Sequence, residues 1–278
     1  MTEFLDVDGG RIAYDVTGAG PLVVLSHGMG DTRTAYRFLV PRLVEAGYRV
    51  ATADLRGQGE SSVGFPAYTR TETANDLLAL IRHLGGPAVI VGHSYSGGSA
   101  TIAAAREPGL VTAIVEVDSF TRGQKVSLGG MFRNGRYRKG MLLLLGTALF
   151  GSIKLMTTYL DHAYPGVKPA DWDQQLAAIG ANLAEPGRMK VLQKMGNAAP
   201  TDAGAQLPQV RCPALIAVGS LDPDWDDPKA EMDGVAAAMP AGVATVRVIE
   251  GAGHYPHVQF PDRVADLILP FLKEHARA

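Results

Sequence analysis

The chain has 278 residues, of which 46% are hydrophobic and 19% are charged, and its formal net charge is −2. This length and composition are typical of a globular protein with a sizeable core and exclude a disordered chain. The near-neutral charge gives no overall attraction to nucleic acid or to an anionic membrane. The single cysteine, Cys212, excludes an internal disulfide and a multi-cysteine metal site.

Two segments bear on localisation. The first ten residues, MTEFLDVDGG, are acidic and lack the basic start and apolar stretch of a secretion signal, which predicts a cytoplasmic protein. Residues 140–160 are apolar, but Lys154 interrupts them and three glycines lie among them. We therefore expect a buried or lid helix there and no membrane span.

Strand and helix patterns alternate through the first half of the chain. RIAYDVTG and PLVVLSHG predict strands, residues 36–45 a helix, and YRVATADLRGQGES a strand that runs into a glycine-rich loop. Residues 71–84 have apolar side chains at helical spacing, and PAVIVG is a continuous apolar run. This alternation predicts an α/β fold with a mostly parallel sheet and helices on both faces.

The alternation stops after TAIVEVD, at residues 112–118. Only helical and loop patterns follow over residues 120–207, and the strand patterns then resume in PALIAVGS and ATVRVIEG, before a last helix over residues 261–275. The sequence therefore predicts an α/β core formed by residues 1–119 and 208–278. Residues 120–207 form an all-helical insertion. In it, MLLLLGTALF is interpreted first as a cap helix packed on its neighbours, and its inner face is also a candidate lining for an apolar pocket.

A serine follows the apolar strand VIVG at a predicted strand-to-helix turn. A sharp elbow at such a turn lifts a serine hydroxyl above the strand end, and it requires small residues two positions before and after. Gly92, Ser94 and Ser96 fit this pattern with serine in place of the usual second glycine. The glycine before it and its place at the strand end favour Ser94 as the nucleophile, with Ser96 as the alternative.

A serine nucleophile needs a base, an orienting acid and donors for the oxyanion. His254, in IEGAGHYPH, follows the last predicted strand and is the candidate base. Asp222, in AVGSLDPDWDDP, is the candidate acid. The other candidates for the acid position are Asp118, Asp224, Asp226 and Asp227.

The oxyanion would be held by two backbone N–H groups. Tyr95 stands at the start of the helix after Ser94, and Met29 lies in the loop of VVLSHGMGD. We expect His27 and His93 to support these loops by hydrogen bonding. His257 is interpreted as a helix-start or surface residue.

With these motifs identified, the chain resembles the α/β-hydrolase superfamily in its serine-nucleophile, capped branch. SHGMGD resembles that family's oxyanion loop, DLRGQGES the segment after the preceding strand, and VGHSYSGG the elbow. GSLDPD resembles the acid loop and GAGHYPH the histidine loop, and the order Ser94, Asp222, His254 matches the family's triad. The resemblance covers nearly the whole chain. It implies eight strands, the first few antiparallel, with a helical cap inserted after the sixth.

The resemblance implies an esterase or haloperoxidase-like enzyme that needs no cofactor or metal. We expect it to cleave a carboxylester or lactone of an apolar small molecule through an acyl-enzyme. Ser94 argues against the haloalkane dehalogenases and epoxide hydrolases of this fold, which use aspartate at that position. A C–C bond hydrolase, a lyase or cyclase with the same triad, and a ligand-binding receptor stay open, because the fold does not choose between them.

Overall fold

An eight-stranded sheet forms the centre of the structure, a computed structural model that describes residues 1–123 and 126–277. The strands in chain order are β1 (Glu3–Val7), β2 (Gly10–Thr17), β3 (Leu22–Ser26), β4 (Arg49–Ala53), β5 (Ala88–His93), β6 (Val111–Val117), β7 (Ala214–Gly219) and β8 (Ala244–Ile249). They lie in the order β1-β2-β4-β3-β5-β6-β7-β8. β2 is antiparallel to both β1 and β4, and the other neighbours are parallel, which confirms the predicted sheet.

The central strands are covered on both faces. Every residue of β3, β5 and β7 is buried, which explains why their sequences are continuous apolar runs. The edge strand β8 instead alternates half-buried and exposed residues over most of its length. Because parallel strands end at the same edge, the loops after β3, β5, β6, β7 and β8 meet there, where ligands bind in open α/β sheets.

Helices cover the two faces of this sheet. On one face lie α2 (Arg70–His83), α3 (Tyr95–Arg106) and α10 (Pro228–Ala238), and on the other lie α1 (Leu39–Glu45) and α12 (Pro261–His275). The short helix α11 (Pro256–Gln259) follows β8. The helix predicted over residues 36–45 is shorter than expected, since a separate 3₁₀ helix occupies Arg33–Tyr36 and α1 begins at Leu39.

Six α-helices lie between β6 and β7 in the described part of the chain. They are α4 (Leu128–Arg133), α5 (Gly135–Phe150), α6 (Ile153–His162), α7 (Trp172–Ala184), α8 (Arg188–Gly196) and α9 (Thr201–Gly204). We call residues 120–207 the helical insertion. The apolar stretch at 140–160 is divided between α5 and α6, because Gly151 adopts φ 60° and ends α5, and Ser152 caps α6. No helix of the described residues has both the length and the apolar character needed to cross a membrane.

Polar contacts tie the helical insertion to the sheet and its loops. Arg37 donates two hydrogen bonds of 2.6 and 2.7 Å to the carboxylate of Asp171. The buried Arg188 donates to the carbonyl of Ser61 at 3.1 Å. The backbone N–H of His254 donates to the carbonyl of Ala163 at 3.0 Å. The insertion therefore contacts the same loop edge at which the candidate site residues lie.

Candidate active site

Ser94 occupies the turn between β5 and α3. It adopts φ 52° and ψ −115°, a conformation that is strained for a residue with a side chain. A Cβ at Gly92 would lie only 2.4 Å from the carbonyl oxygen of Ser96, so the position two residues before the turn has no room for a side chain. Gly97 is equally confined, because a Cβ added at that position would lie 2.4 Å from the Cβ of Ser119. The local sequence thus produces a tight elbow at Ser94.

The alternative nucleophile, Ser96, lies in a different environment. Its side chain is fully buried, lies 2.9 Å from the hydroxyl of Ser26, and donates to the carbonyl of His27 at 2.6 Å. Ser94 instead lines a cavity. Ser96 therefore links the turn to the loop after β3, while Ser94 faces the space that a substrate would enter.

His254 and Asp222 meet at the carboxyl ends of β8 and β7. The Nδ1 of His254 lies 2.9 Å from Oδ2 of Asp222, and both side chains are almost fully buried. The other ring nitrogen of His254 makes no hydrogen bond with any described residue, and the same holds for the Ser94 hydroxyl. An imidazole held at one nitrogen by a carboxylate can accept a proton at the other.

Two further carboxylates surround this pair. Asp224 Oδ2 lies 3.5 Å from His254 Nδ1, and the Tyr159 hydroxyl donates to both Asp224 oxygens at 2.8 Å. Asp118, at the end of β6, accepts the N–H of Gly219 at 2.8 Å. Of the remaining candidate acids, Asp227 caps α10 and Asp226 accepts the hydroxyl of Ser127.

The crowding of these acids changes their proton affinities. Burial and the neighbouring Asp222 raise the pKa of Asp118 well above its usual range. Burial and Asp222 also raise the pKa of Asp224 to about 7. Burial alone would lower the pKa of His254, but the carboxylates of Asp222 and Asp224 outweigh it and raise that pKa to about 10.

The same cluster has the composition of a small metal site. Ligand atoms of Asp118, Asp222 and His254 lie within 4.8 Å of one another. However, the His254 nitrogen nearest the acids is already hydrogen-bonded to Asp222. The observed geometry therefore fits an orienting acid and a base better than a metal centre.

The predicted oxyanion donors come from two different loops. Tyr95 is the first residue of α3, where backbone N–H groups have no acceptor within the helix, and Met29 lies in the loop after β3. Neither N–H donates to another described residue. A Cβ at Gly28 would lie 2.9 Å from the Cβ of Ser94, so the two loops are in close contact.

Histidines support these loops, as expected for His27 and His93. His27 Nδ1 lies 2.7 Å from the carbonyl of Gly28, and His93 Nε2 lies 2.8 Å from the carbonyl of His254. The interpretation of His257 is wrong in part. It does lie in α11, but it is fully buried against the rings of His93 and Tyr36, because α11 packs on the 3₁₀ helix that carries Tyr36.

A cavity of about 620 Å³ extends from Ser94 into the helical insertion. The larger apolar side chains among its described lining residues are Met29, Tyr95, Phe120, Val126, Met141, Leu144, Leu145, Met156, Leu192 and Met195. The stretch MLLLLGTALF thus lines part of a mainly apolar pocket, and it also packs on α4, α6 and α8, so both of its interpretations hold together. Arg70 is the charged residue among the described lining residues.

Three supporting side chains were missed in the sequence. Gln58 accepts the N–H of Gly30 at 3.0 Å beside the predicted oxyanion loop. Gln259 accepts the N–H of Gly253 at 2.7 Å beside the histidine loop. Arg70 lies on the cavity wall. Their partners are distant in sequence or are backbone groups, so no local spacing identifies them.

Comparisons with known proteins agree with the observed fold. A family model described as "Alpha/beta hydrolase family" matches residues 23–267. The chain is 29% identical over 275 residues to a 2-(acetamidomethylene)succinate hydrolase of Mesorhizobium japonicum, covering 96% of this chain and 94% of the relative. It shares its fold with a thermophilic esterase from Thermogutta terrifontis (TM-score 0.75, 24% identity, 98% of both chains covered). A bromoperoxidase from Bacillus anthracis also has this fold (TM-score 0.79, 21% identity, 98% and 100% covered).

Proposed function

Because the chain belongs to the alpha/beta hydrolase family, we propose that it is a serine hydrolase that cleaves a carboxylester or lactone. The observation that carries this proposal is the elbow at Ser94, which lines a large cavity and has a hydrogen-bonded His254–Asp222 pair in the neighbouring loops. In this proposal the helical insertion serves as the cap over the site. The mainly apolar lining of the cavity favours an apolar small-molecule substrate.

The reaction would proceed in two halves. The Ser94 hydroxyl attacks the carbonyl carbon while its proton passes to His254, and the N–H groups of Met29 and Tyr95 hold the oxyanion. The carbon–oxygen bond to the alcohol then breaks as His254 returns the proton to the leaving oxygen, which leaves an acyl-enzyme. Water attacks this ester with His254 again taking a proton, and the acid product leaves as Ser94 recovers its hydrogen. Asp222 keeps the imidazole oriented and stabilises its charged form.

Other functions of the fold are less well supported. Ser94 occupies the position at which epoxide hydrolases of this fold use aspartate. A ligand-binding receptor does not require a serine, a histidine and an acid in neighbouring loops at one edge of the sheet. A lyase, a cyclase or a C–C bond hydrolase would use the same three residues, so the products of the reaction distinguish these activities from ester hydrolysis.

A fluorophosphonate probe, followed by peptide mass spectrometry, tests the nucleophile. We expect one adduct on Ser94 in the wild type and in Ser96→Ala, and none in Ser94→Ala. Turnover of p-nitrophenyl butyrate in Ser94→Ala should fall by about six orders of magnitude. An adduct on Ser96 in Ser94→Ala would identify Ser96 as the nucleophile. A folded wild-type protein without an adduct or turnover would support the receptor instead.

A further inference from the structure

Arg70 places a buried positive charge on the cavity wall. Its side chain is 5% exposed, and it lines the same cavity as Ser94. Its guanidinium carbon lies 4.2 Å from the ring centroid of Tyr95. Nε and Nη1 donate to the carbonyls of Phe120 and Ala198 at 3.0 and 2.9 Å. These contacts hold the guanidinium in place beside the elbow.

This guanidinium has no carboxylate partner in the described part of the chain. No described Asp or Glu oxygen lies within 4.0 Å of it, and its Nη2 donates to no described residue. The other two buried arginines do have such partners: Arg56 pairs with Asp76 at 2.7 Å, and Arg188 with Glu185 at 2.7 Å. Arg70 is therefore the buried arginine that forms no salt bridge with a described carboxylate.

The acid that influences Arg70 electrostatically is engaged elsewhere. Asp202 accepts hydrogen bonds from the N–H and hydroxyl of Thr71 at 3.1 and 3.0 Å, and from the N–H of Ala203 at 2.9 Å. Burial lowers the pKa of Arg70, because Tyr95 and Asp202 offset only part of the cost of removing its charge from water. A buried cation without a partner is unfavourable unless an anionic group meets it. A guanidinium with a free donor edge binds carboxylates with strong, oriented hydrogen bonds.

We propose that Arg70 binds a carboxylate on the substrate, so that the preferred substrate is an anionic ester with its charge at one end and an apolar chain toward Ser94. The leucine and methionine side chains of the cavity would contact this apolar part of the substrate. This inference rests on the proposed ester hydrolysis and adds the substrate class. Arg70 is then a specificity residue, and it takes no part in proton transfer.

A matched pair of esters tests this specificity at pH 7.5. The p-nitrophenyl half-ester of glutaric acid is anionic, and the p-nitrophenyl ester of monomethyl glutarate is its neutral counterpart. The readout is the ratio of their kcat/KM values. We expect the wild type to prefer the anionic ester and Arg70→Gln to lower the ratio by about 10- to 100-fold. Arg70→Lys should lower it less, because it keeps the charge and loses the fork geometry.

Arg188→Gln is the matched control, since it also removes a buried arginine that donates to a carbonyl at the edge of the insertion. It should leave the ratio unchanged. An Arg70→Gln variant that slows both esters equally would show a purely structural role and overturn the proposal. If that variant does not fold, binding of monomethyl glutarate and of its neutral amide, methyl glutaramate, to the Ser94→Ala protein, which does not turn these esters over, is compared by calorimetry, and equal affinity overturns it.

The two proposals fail in different ways. Ser94-dependent turnover of the neutral ester without preference for the anion overturns the role of Arg70 and leaves ester hydrolysis standing. No turnover of either ester, together with selective binding of monomethyl glutarate, contradicts ester hydrolysis and supports the anion site.

Discussion

At the scale of single residues, His254 has more acidic neighbours than orientation by Asp222 alone requires. Asp222 and Asp224 both approach Nδ1, and together they raise the pKa of His254 to about 10. The same carboxylates stabilise the imidazolium that forms when the proposed base accepts the proton of Ser94. However, a base with a raised pKa carries its proton at neutral pH. The proposed hydrolysis should therefore become faster as the pH rises above 7.

Asp224→Asn should move this pH dependence. Removing one carboxylate destabilises the protonated imidazole, so the pKa of His254 falls and the rising limb of kcat/KM moves toward lower pH, by about one unit. The measurement is the pH profile for a neutral ester. Asp227→Asn is the control on the same loop, since asparagine also caps helices well. An unchanged midpoint in Asp224→Asn would show that Asp222 alone sets the pKa.

The sequence predicts some of these residues better than others. Ser94, Asp222 and His254 each lie in a short motif that follows a predicted strand, so spacing and chain order identify them as candidates. The approach of Asp118 and Asp224 to the same imidazole depends on how β6, β7 and α6 pack, and no local pattern encodes it. The burial of His257 was missed for a similar reason.

At the scale of secondary-structure elements, Gln259 joins α11 to the histidine loop and to the insertion. Its oxygen accepts the N–H of Gly253, and its nitrogen donates to the carbonyls of Pro165 and Val167 at 3.1 and 2.9 Å. A Cβ at Gly253 would lie 2.2 Å from the carbonyl oxygen of Ala163. The loop that holds His254 is therefore fixed by the insertion as well as by β8.

Gln259→Met should loosen this junction. It keeps the approximate side-chain volume and leaves a buried N–H and two carbonyls without their partner, which costs about 1–3 kcal/mol in the free energy of unfolding. Displacement of His254 should lower kcat more than it raises KM. Chemical denaturation and steady-state kinetics measure the two effects. Gln175→Met, at an exposed hydrogen bond to Thr34, is the control; equal losses in both variants would contradict a special role for Gln259.

The elbow between β5 and α3 allows a second test at this scale. In Gly92→Ala the new Cβ would meet the Ser96 carbonyl at 2.4 Å, and backbone cannot move aside as a flexible side chain can. We expect a loss of more than about 3 kcal/mol in the free energy of unfolding, or failure to fold. Gly109→Ala adds a Cβ with no atom within 4 Å and should leave stability nearly unchanged. A stable, active Gly92→Ala protein would contradict the tight elbow.

The helices and strands were easier to predict from the sequence than the lining of the cavity that they enclose. Continuous apolar runs identified the buried strands, and the loss of strand patterns after β6 indicated a helical insertion. For the α5 stretch the sequence left two compatible interpretations, a packed cap helix and a pocket lining. It did not indicate that Arg70 lines the same cavity, because this part of the wall forms only when α2, α3 and the end of the insertion come together.

At the scale of the whole molecule, the acid–histidine cluster links stability to pH. The pKa of His254 rises to about 10 in the folded protein from its ordinary value of 6.5, so the fold retains a proton that the unfolded chain releases between these values. The contribution of this group is fully present below pH 6.5 and is lost as the pH rises through 10. Asp224 acts in the same direction at lower pH, since burial raises its pKa from 3.8 to about 7.

The free energy of unfolding should therefore fall between pH 6.5 and 10, by up to about 1.4 kcal/mol per pH unit for each extra proton that the folded state holds. His254→Gln removes the titrating group, so its stability should fall less steeply over the same window, even if the variant is less stable at pH 6.5. Urea denaturation at several pH values measures both slopes. His162→Gln, which removes an imidazole from the insertion outside the cluster, should keep the wild-type slope. Parallel slopes for the wild type and His254→Gln would mean that His254 does not keep its proton on folding, and the alkaline rise expected for the hydrolysis would then lose its physical basis.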